Sequence, residues 1–171
     1  HVDVVTIVPG GANPHSFEIT PDIISRCSDA SVLVLNGIGL EYWADKLAGT
    51  LQKPGFIIVE TAQGIPILED HDHAEGNPHV WLDPVAARTQ VRAISEALCK
   101  IDPKNTESYR RNTAAYLTSL EALDAQIRQE VDSWQQKSFI CFHPSWNYFA
   151  DRYGLTQAAV IEKRPGFEPN P

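Results

Sequence analysis

The chain has 171 residues, 43% of them hydrophobic and 21% charged, with a formal net charge of -8. That length supports one good core, or one and part of another, and the composition is that of a soluble globular protein. The acidic balance excludes nucleic acid as a partner, because phosphate recognition needs clustered Lys and Arg. No apolar run is long enough to cross a bilayer. The chain starts at His1 without a targeting segment and reads as a mature or trimmed product. Three widely spaced cysteines, Cys27, Cys99 and Cys141, form neither a disulfide framework nor a CxxC site and are expected as buried small side chains.

In chain order, Val2–Val8 alternates and is β-branched, which predicts a strand. Pro9 to Pro14 is a rigid loop ending at His15. Thr20-Pro21 pairs an N-cap with a first-turn proline, so a short helix should cover 21–28. Val32–Leu35 is a short apolar strand, and Asn36-Gly37-Ile38-Gly39 a turn. Trp43, Leu47 and Leu51 give 41–51 helical spacing, and Phe56–Val59 reads as a further strand. The polar stretch from Glu69 to Asn77, which holds His71 and His73, is expected as a solvated loop. Asp83-Pro84 caps a helix through Ile94 and Leu98. Strands alternating with helices imply an α/β fold with a parallel sheet.

Asp102-Pro103 opens the longest predicted helix. Tyr109, Tyr116, Leu120, Leu123, Ile127, Val131 and Trp134 recur at helical steps, and neither Gly nor Pro interrupts 104–136. At 1.5 Å per residue such a helix is about 50 Å long. That suits a rod joining two lobes better than a helix lying on one. Phe139–Phe142 is then a strand, Pro144–Arg152 a helix with Gly154 just past its end, and Ala158–Ile161 one more strand.

Three of the six histidines share a context. His15 and His79 each follow Asn-Pro, and His143 ends a strand and precedes Pro144. Strand-to-helix loops of a parallel sheet lie at its carboxyl edge, where ligands bind, so all three imidazoles are expected at one rim. The neighbouring prolines restrain the backbone. Helix N-termini disfavour imidazolium, and a neutral imidazole is what a divalent metal needs. Three imidazoles favour Zn²⁺ over Mn²⁺. A closed zinc site wants a fourth ligand, for which water or a carboxylate beyond Pro171 are the candidates. His71 and His73 belong either to a solvated acidic loop or to an accessory metal-gathering one.

These residues fall in a recognisable pattern. Gly11-Ala12-Asn13-Pro14-His15-Ser16-Phe17-Glu18, Asn36-Gly37-Ile38-Gly39-Leu40-Glu41-Tyr42-Trp43 and Asn77-Pro78-His79-Val80-Trp81-Leu82-Asp83-Pro84 are three of its blocks. Tyr109-Arg110-Arg111-Asn112 and His143-Pro144-Ser145-Trp146-Asn147-Tyr148-Phe149, followed by Arg152-Tyr153-Gly154-Leu155, are the others. In this order they resemble the metal-binding receptors of bacterial zinc and manganese ABC importers. The resemblance implies two α/β lobes joined by a long rigid helix, with metal held in the cleft by His15, His79 and His143. Manganese members tend to have Glu at the third position, so His143 points to zinc, with Mn²⁺ as the alternative. The loop holding His71 and His73 looks like a short form of the His-rich loop of zinc members.

The implied partners are a divalent ion and a membrane permease, and the implied location is the periplasm or the outer face of the membrane. The implied organisation is a metal-binding lobe over 1–101, a linking helix over 102–136, and the start of a second lobe over 137–171. Asn13 and Asn77 depart from the usual Asp, keeping an acceptor oxygen but losing charge. The family's first strand and helix and most of its second lobe are missing, so the chain reads as a fragment whose exposed apolar surface predicts self-association or trimming.

Two other classes fit less well. Three histidines plus water also describe a catalytic zinc, but there is no H-E-x-x-H, and His71-Asp72-His73 does not extend into a hydrolase pattern. Gly37-x-Gly39 follows a strand, but Tyr42 stands where a dinucleotide fingerprint needs its third Gly.

Overall fold

A computed structural model describes residues 2–51, 53–69 and 74–162. It is an α/β fold with two parallel two-stranded sheets and a long helix between them. His71 and His73 lie outside the described residues. Among those described, no helix is long and apolar enough to cross a membrane.

The first sheet pairs β1 (Val32–Leu35) with β2 (Ile57–Glu60), Val32 opposite Ile57 and Leu35 opposite Glu60. The crossover between them carries α2 (Ala44–Leu51), and α1 (Pro21–Cys27) precedes β1. The Thr20 hydroxyl accepts from the Ile23 N–H, and Pro21 fills the first turn, where no donor is needed. Leu33, Leu35, Leu47, Leu51, Trp43 and Cys27 bury one continuous core, with Phe17, Ile23 and Ile24 packed on its edge. Full burial of a Leu such as Leu47 contributes about 1.5–3 kcal/mol.

α3 (Pro84–Ile101) follows β2 after a long connection. Its cap is Asp83, whose Oδ1 accepts from the Val85 N–H at 2.8 Å. A single 3₁₀ turn at Pro103–Asn105 then leads into α4 (Thr106–Ser133). The sequence opened this helix at Asp102-Pro103, ahead of its start at Thr106, and ran it to 136. The proline-led 3₁₀ turn and the extended backbone at Trp134 shorten it to 28 residues, about 42 Å. α4 packs along α3, where the Thr113 hydroxyl donates to Ser95 at 2.7 Å. It then reaches α5 (Asn147–Tyr153) through Asp124, whose carboxylate takes two hydrogen bonds from the Arg152 guanidinium, at 2.7 and 2.8 Å.

The second sheet pairs β3 (Ser138–Cys141) with β4 (Thr156–Val160), and α5 lies in the crossover. α5 starts at Asn147 rather than at Pro144, because a tight turn with Ser145 N–H on the His143 carbonyl occupies the intervening residues. Gly154 closes it in the left-handed conformation, φ 65°. Two further expectations shift. Residues 2–8 form no strand: the described residues give this segment no ladder partner, residues 2–6 are exposed, and the consecutive pair Ile7 and Val8 packs against the first core. The helix expected from Glu41 begins at Ala44, since Ile38 and its flanking glycines, all at positive φ, extend the turn. Of the cysteines, which are free, Cys27 and Cys141 are buried and Cys99 is half-buried.

Candidate metal centre

The three Asn/His-Pro segments arrive from different parts of the chain. Asn13 caps a one-turn 3₁₀ helix, Pro14–Ser16, its Oδ1 accepting from the His15 N–H at 2.9 Å. Asn77 repeats that turn for His79 at 3.0 Å. His143 follows β3, at the carboxyl edge the sequence predicts for all three. His79 is 3% exposed, anchored by its fully buried neighbour Val80 in a second apolar cluster with Ala62, Ile65 and Ala86.

The Asn36–Trp43 segment explains how two of these histidines are held. Glu41 accepts from the N–H groups of Asn36 and Gly37 at 2.8 and 3.1 Å, which fixes the turn. Asn36 Nδ2 then donates to the Pro78 carbonyl at 2.9 Å, while its Oδ1 accepts from Gln90 on α3. On the other side Tyr42 donates to the Phe17 carbonyl, and Trp43 packs edge-on against the Phe17 ring at 5.9 Å. The segment that superficially resembles a nucleotide loop is a brace between the His15 and His79 segments.

The three rings converge. His79 and His143 lie 4.9 Å apart between centroids, His15 and His79 5.2 Å, and His15 and His143 5.1 Å. His79 Nε2 is 3.2 Å from His15 Nε2 and 3.1 Å from His143 Nε2. Among the described residues, the three offer ligand atoms all within 4.8 Å of one another.

Hydrogen bonds settle which nitrogen of two rings carries the proton. Asn77 Oδ1 already accepts from the His79 backbone N–H, so the atom 2.8 Å from His79 Nδ1 is an acceptor, and Nδ1 donates. His143 Nδ1 faces Glu162 Oε2 at 2.6 Å, again a donor to an acceptor. In the neutral rings both Nε2 atoms therefore present lone pairs to each other at 3.1 Å. Two lone pairs at that distance repel unless a metal ion or a shared proton lies between them. For Zn–N bonds of about 2.0–2.1 Å at a tetrahedral angle, neighbouring nitrogens sit about 3.3 Å apart, close to the observed separations.

Glu162 is the residue sequence reading missed. It is 8% exposed, lies two residues past β4, and its N–H donates to the Phe142 carbonyl, extending the β3–β4 ladder. The available signal was its place after a strand paired with the one that ends at His143. A carboxylate on the far nitrogen of an imidazole fixes the tautomer and raises its basicity as a ligand.

A parallel α/β fold gathers imidazoles from three loops into a group that could hold a metal ion, the arrangement of a metal-binding class of protein. The family model described as zinc-uptake complex component A, periplasmic, matches residues 1–171, and the chain belongs to that family. It is 34% identical over 173 residues to a putative metal-binding protein of Treponema pallidum, covering 93% of this chain and 55% of the relative. It is 32% identical over 182 residues to the high-affinity zinc uptake system protein ZnuA of Bacillus subtilis, covering 98% and 57%. Among solved structures, a ZnuA crystal structure superposes with a TM-score of 0.89 at 38% identity, over 99% of this chain and 65% of the other. The chain thus spans a little over half the length of the curated relatives it matches.

Proposed function

We propose that this chain captures a divalent transition metal, zinc, through the Nε2 atoms of His15, His79 and His143, and hands it to the permease of an ABC importer. The single observation that carries the reading is the pair of Nε2 lone pairs held 3.1 Å apart with their Nδ1 protons committed elsewhere. Three nitrogen donors favour Zn²⁺ over Mn²⁺, which prefers oxygen ligands. A water or a carboxylate completes a tetrahedral shell. Glu162, engaged on His143, acts as an orienting base for a ligand rather than as a general base for turnover. Membership of a periplasmic uptake family supports an extracytoplasmic location and a permease partner. The division proposed is a metal-binding lobe over 1–101, a linking segment over 102–136 and a second lobe beginning at 137.

The test is zinc titration by calorimetry, with Mn²⁺ in a parallel arm. One zinc per chain, bound more tightly than manganese and weakened in each of His15→Ala, His79→Ala and His143→Ala, is the expected result. Equal affinity in all three variants removes the site.

A further inference from the structure

Asn77 stands at the point where the two halves of the candidate site meet, and its backbone N–H and C=O and both side-chain heteroatoms are hydrogen-bonded. It is 0% exposed. Its side-chain oxygen accepts from both the backbone N–H and the Nδ1 of His79, at 3.0 and 2.8 Å. Its backbone N–H donates to the Leu68 carbonyl at 2.9 Å, and its backbone carbonyl accepts from the Tyr148 hydroxyl of α5 at 2.9 Å. Its side-chain Nδ2 donates across to the Pro144 carbonyl at 3.1 Å. That carbonyl belongs to the residue after His143, inside the tight turn closed by Ser145 N–H on the His143 carbonyl.

One planar amide therefore grips both histidine segments. Its oxygen fixes the tautomer and tilt of His79, and its nitrogen fixes the turn that carries His143. Because the amide is rigid, the two grips are a fixed distance apart, and that distance constrains the separation of the two Nε2 atoms. The amide also supplies a donor that a carboxylate lacks. An ionised carboxylate here could still accept from His79, but it has no donor for Pro144. It would set one acceptor oxygen against another at about hydrogen-bond distance.

We infer that Asn77 is a positioning residue whose amide, rather than the carboxylate its place in the motif would suggest, sets the spacing of His79 and His143 and thereby the zinc affinity. This rests on the zinc-capture reading and deepens it. Two effects oppose each other in Asn77→Asp. The carboxylate is the stronger acceptor for His79 Nδ1–H and by itself should tighten the metal, whereas losing the donor to Pro144 should loosen the pair. A role confined to orienting His79 predicts an Asp variant that binds as well as wild type or better. The inter-segment grip predicts weaker binding.

The experiment compares zinc affinity of wild type, Asn77→Asp and Asn77→Ala by competition with a chromophoric chelator. A loss of about 10–100-fold in Asn77→Asp, the usual size of an outer-shell effect, is expected, with Asn77→Ala at least as weak. Affinity in Asn77→Asp equal to or above wild type overturns the inference. Should the variants fail to fold, the wild-type protein decides. By ¹⁵N NMR, the Asn77 side-chain amide protons should be protected from solvent exchange and His79 should be the Nδ1–H tautomer. Free exchange of those protons overturns it. Wild type that binds no zinc would instead defeat the capture reading, leaving the grip to be judged by that exchange measurement.

Discussion

The His79 and His143 neighbourhoods do the same job with different chemistry. His79 is nearly inaccessible, is flanked by the buried Val80, and has its Nδ1 proton accepted by a neutral amide. His143 is half-buried, sits in a turn beyond a short strand, and has its Nδ1 proton accepted by a carboxylate. The first is held by packing and by the brace from Asn36. The second is held by a charge. A ligand locked by its surroundings needs an acceptor only for its tautomer, whereas a more exposed one gains both orientation and basicity from an anion.

The largest effect that would sharpen this comparison is removal of His79. Apparent zinc-binding energies for four-ligand sites are about 10–16 kcal/mol, so one imidazole corresponds to about 3 kcal/mol. His79→Ala should lower zinc affinity roughly a hundred- to thousand-fold in a chelator competition, and His143→Ala by a similar factor. Next comes Glu162→Gln. If the charge supports His143, affinity falls about 10–100-fold with apo stability little changed, as read by titration alongside a thermal melt. An unaltered affinity would make the two neighbourhoods equivalent. Zinc itself should stabilise the fold by about 2.7 kcal/mol at a free concentration a hundred times Kd. That gain, seen as a rise in Tm, should shrink in either His variant.

Smaller effects test the frame that holds the two neighbourhoods together. Arg152 links Asp124 on α4 to Asp83, the cap that follows the His79 segment. The Arg152 hydrogen bonds, and then that from Tyr153, hold the Asp124 carboxyl below the usual carboxylate range, against its partial burial. Burial, and then Asp124, push the Tyr153 phenol well above its ordinary value. A depressed carboxyl stabilises the fold at pH above its unfolded value, about 3.9, and that contribution disappears as pH falls through the lower folded value. Asp124→Asn should therefore cost about 1–2 kcal/mol at pH 7 after allowance for solvent screening. The difference from wild type should shrink as urea melts are taken to pH values below the unfolded carboxyl value of about 3.9. Asp83, whose carboxyl burial raises while the Val85 N–H and Arg152 lower it, ranks last. Asp83→Ala should cost about 1 kcal/mol as a lost cap, and Asp83→Asn, which keeps the acceptor, less.

Local chemistry was legible along the chain because it is decided by neighbours. Thr20-Pro21 and Asp83-Pro84 mark helix starts, Gly154 marks a helix end, and the parallel βα order follows from strands alternating with helices. The repeated Asn-Pro-His tripeptide and the strand-ending His143 picked out the three rings. The failures were also local signals, but ones that context overrode. Residues 2–8 alternate like a strand without a described partner for their backbone groups, and the prolines at 103 and 144 led a 3₁₀ turn and a loop rather than helices.

The amino-acid sequence by itself determined the elements, the family resemblance and which imidazoles to watch, since periodicity, caps and motif order are written in consecutive residues. Only the tertiary structure decided that Glu162 orients His143, that the Asn36–Trp43 turn braces two other segments, and that Asn77 reaches Pro144. Those are contacts of a few ångströms between residues 5 to 67 positions apart, and distances of that kind exist only once the chain has closed its loops around a common core.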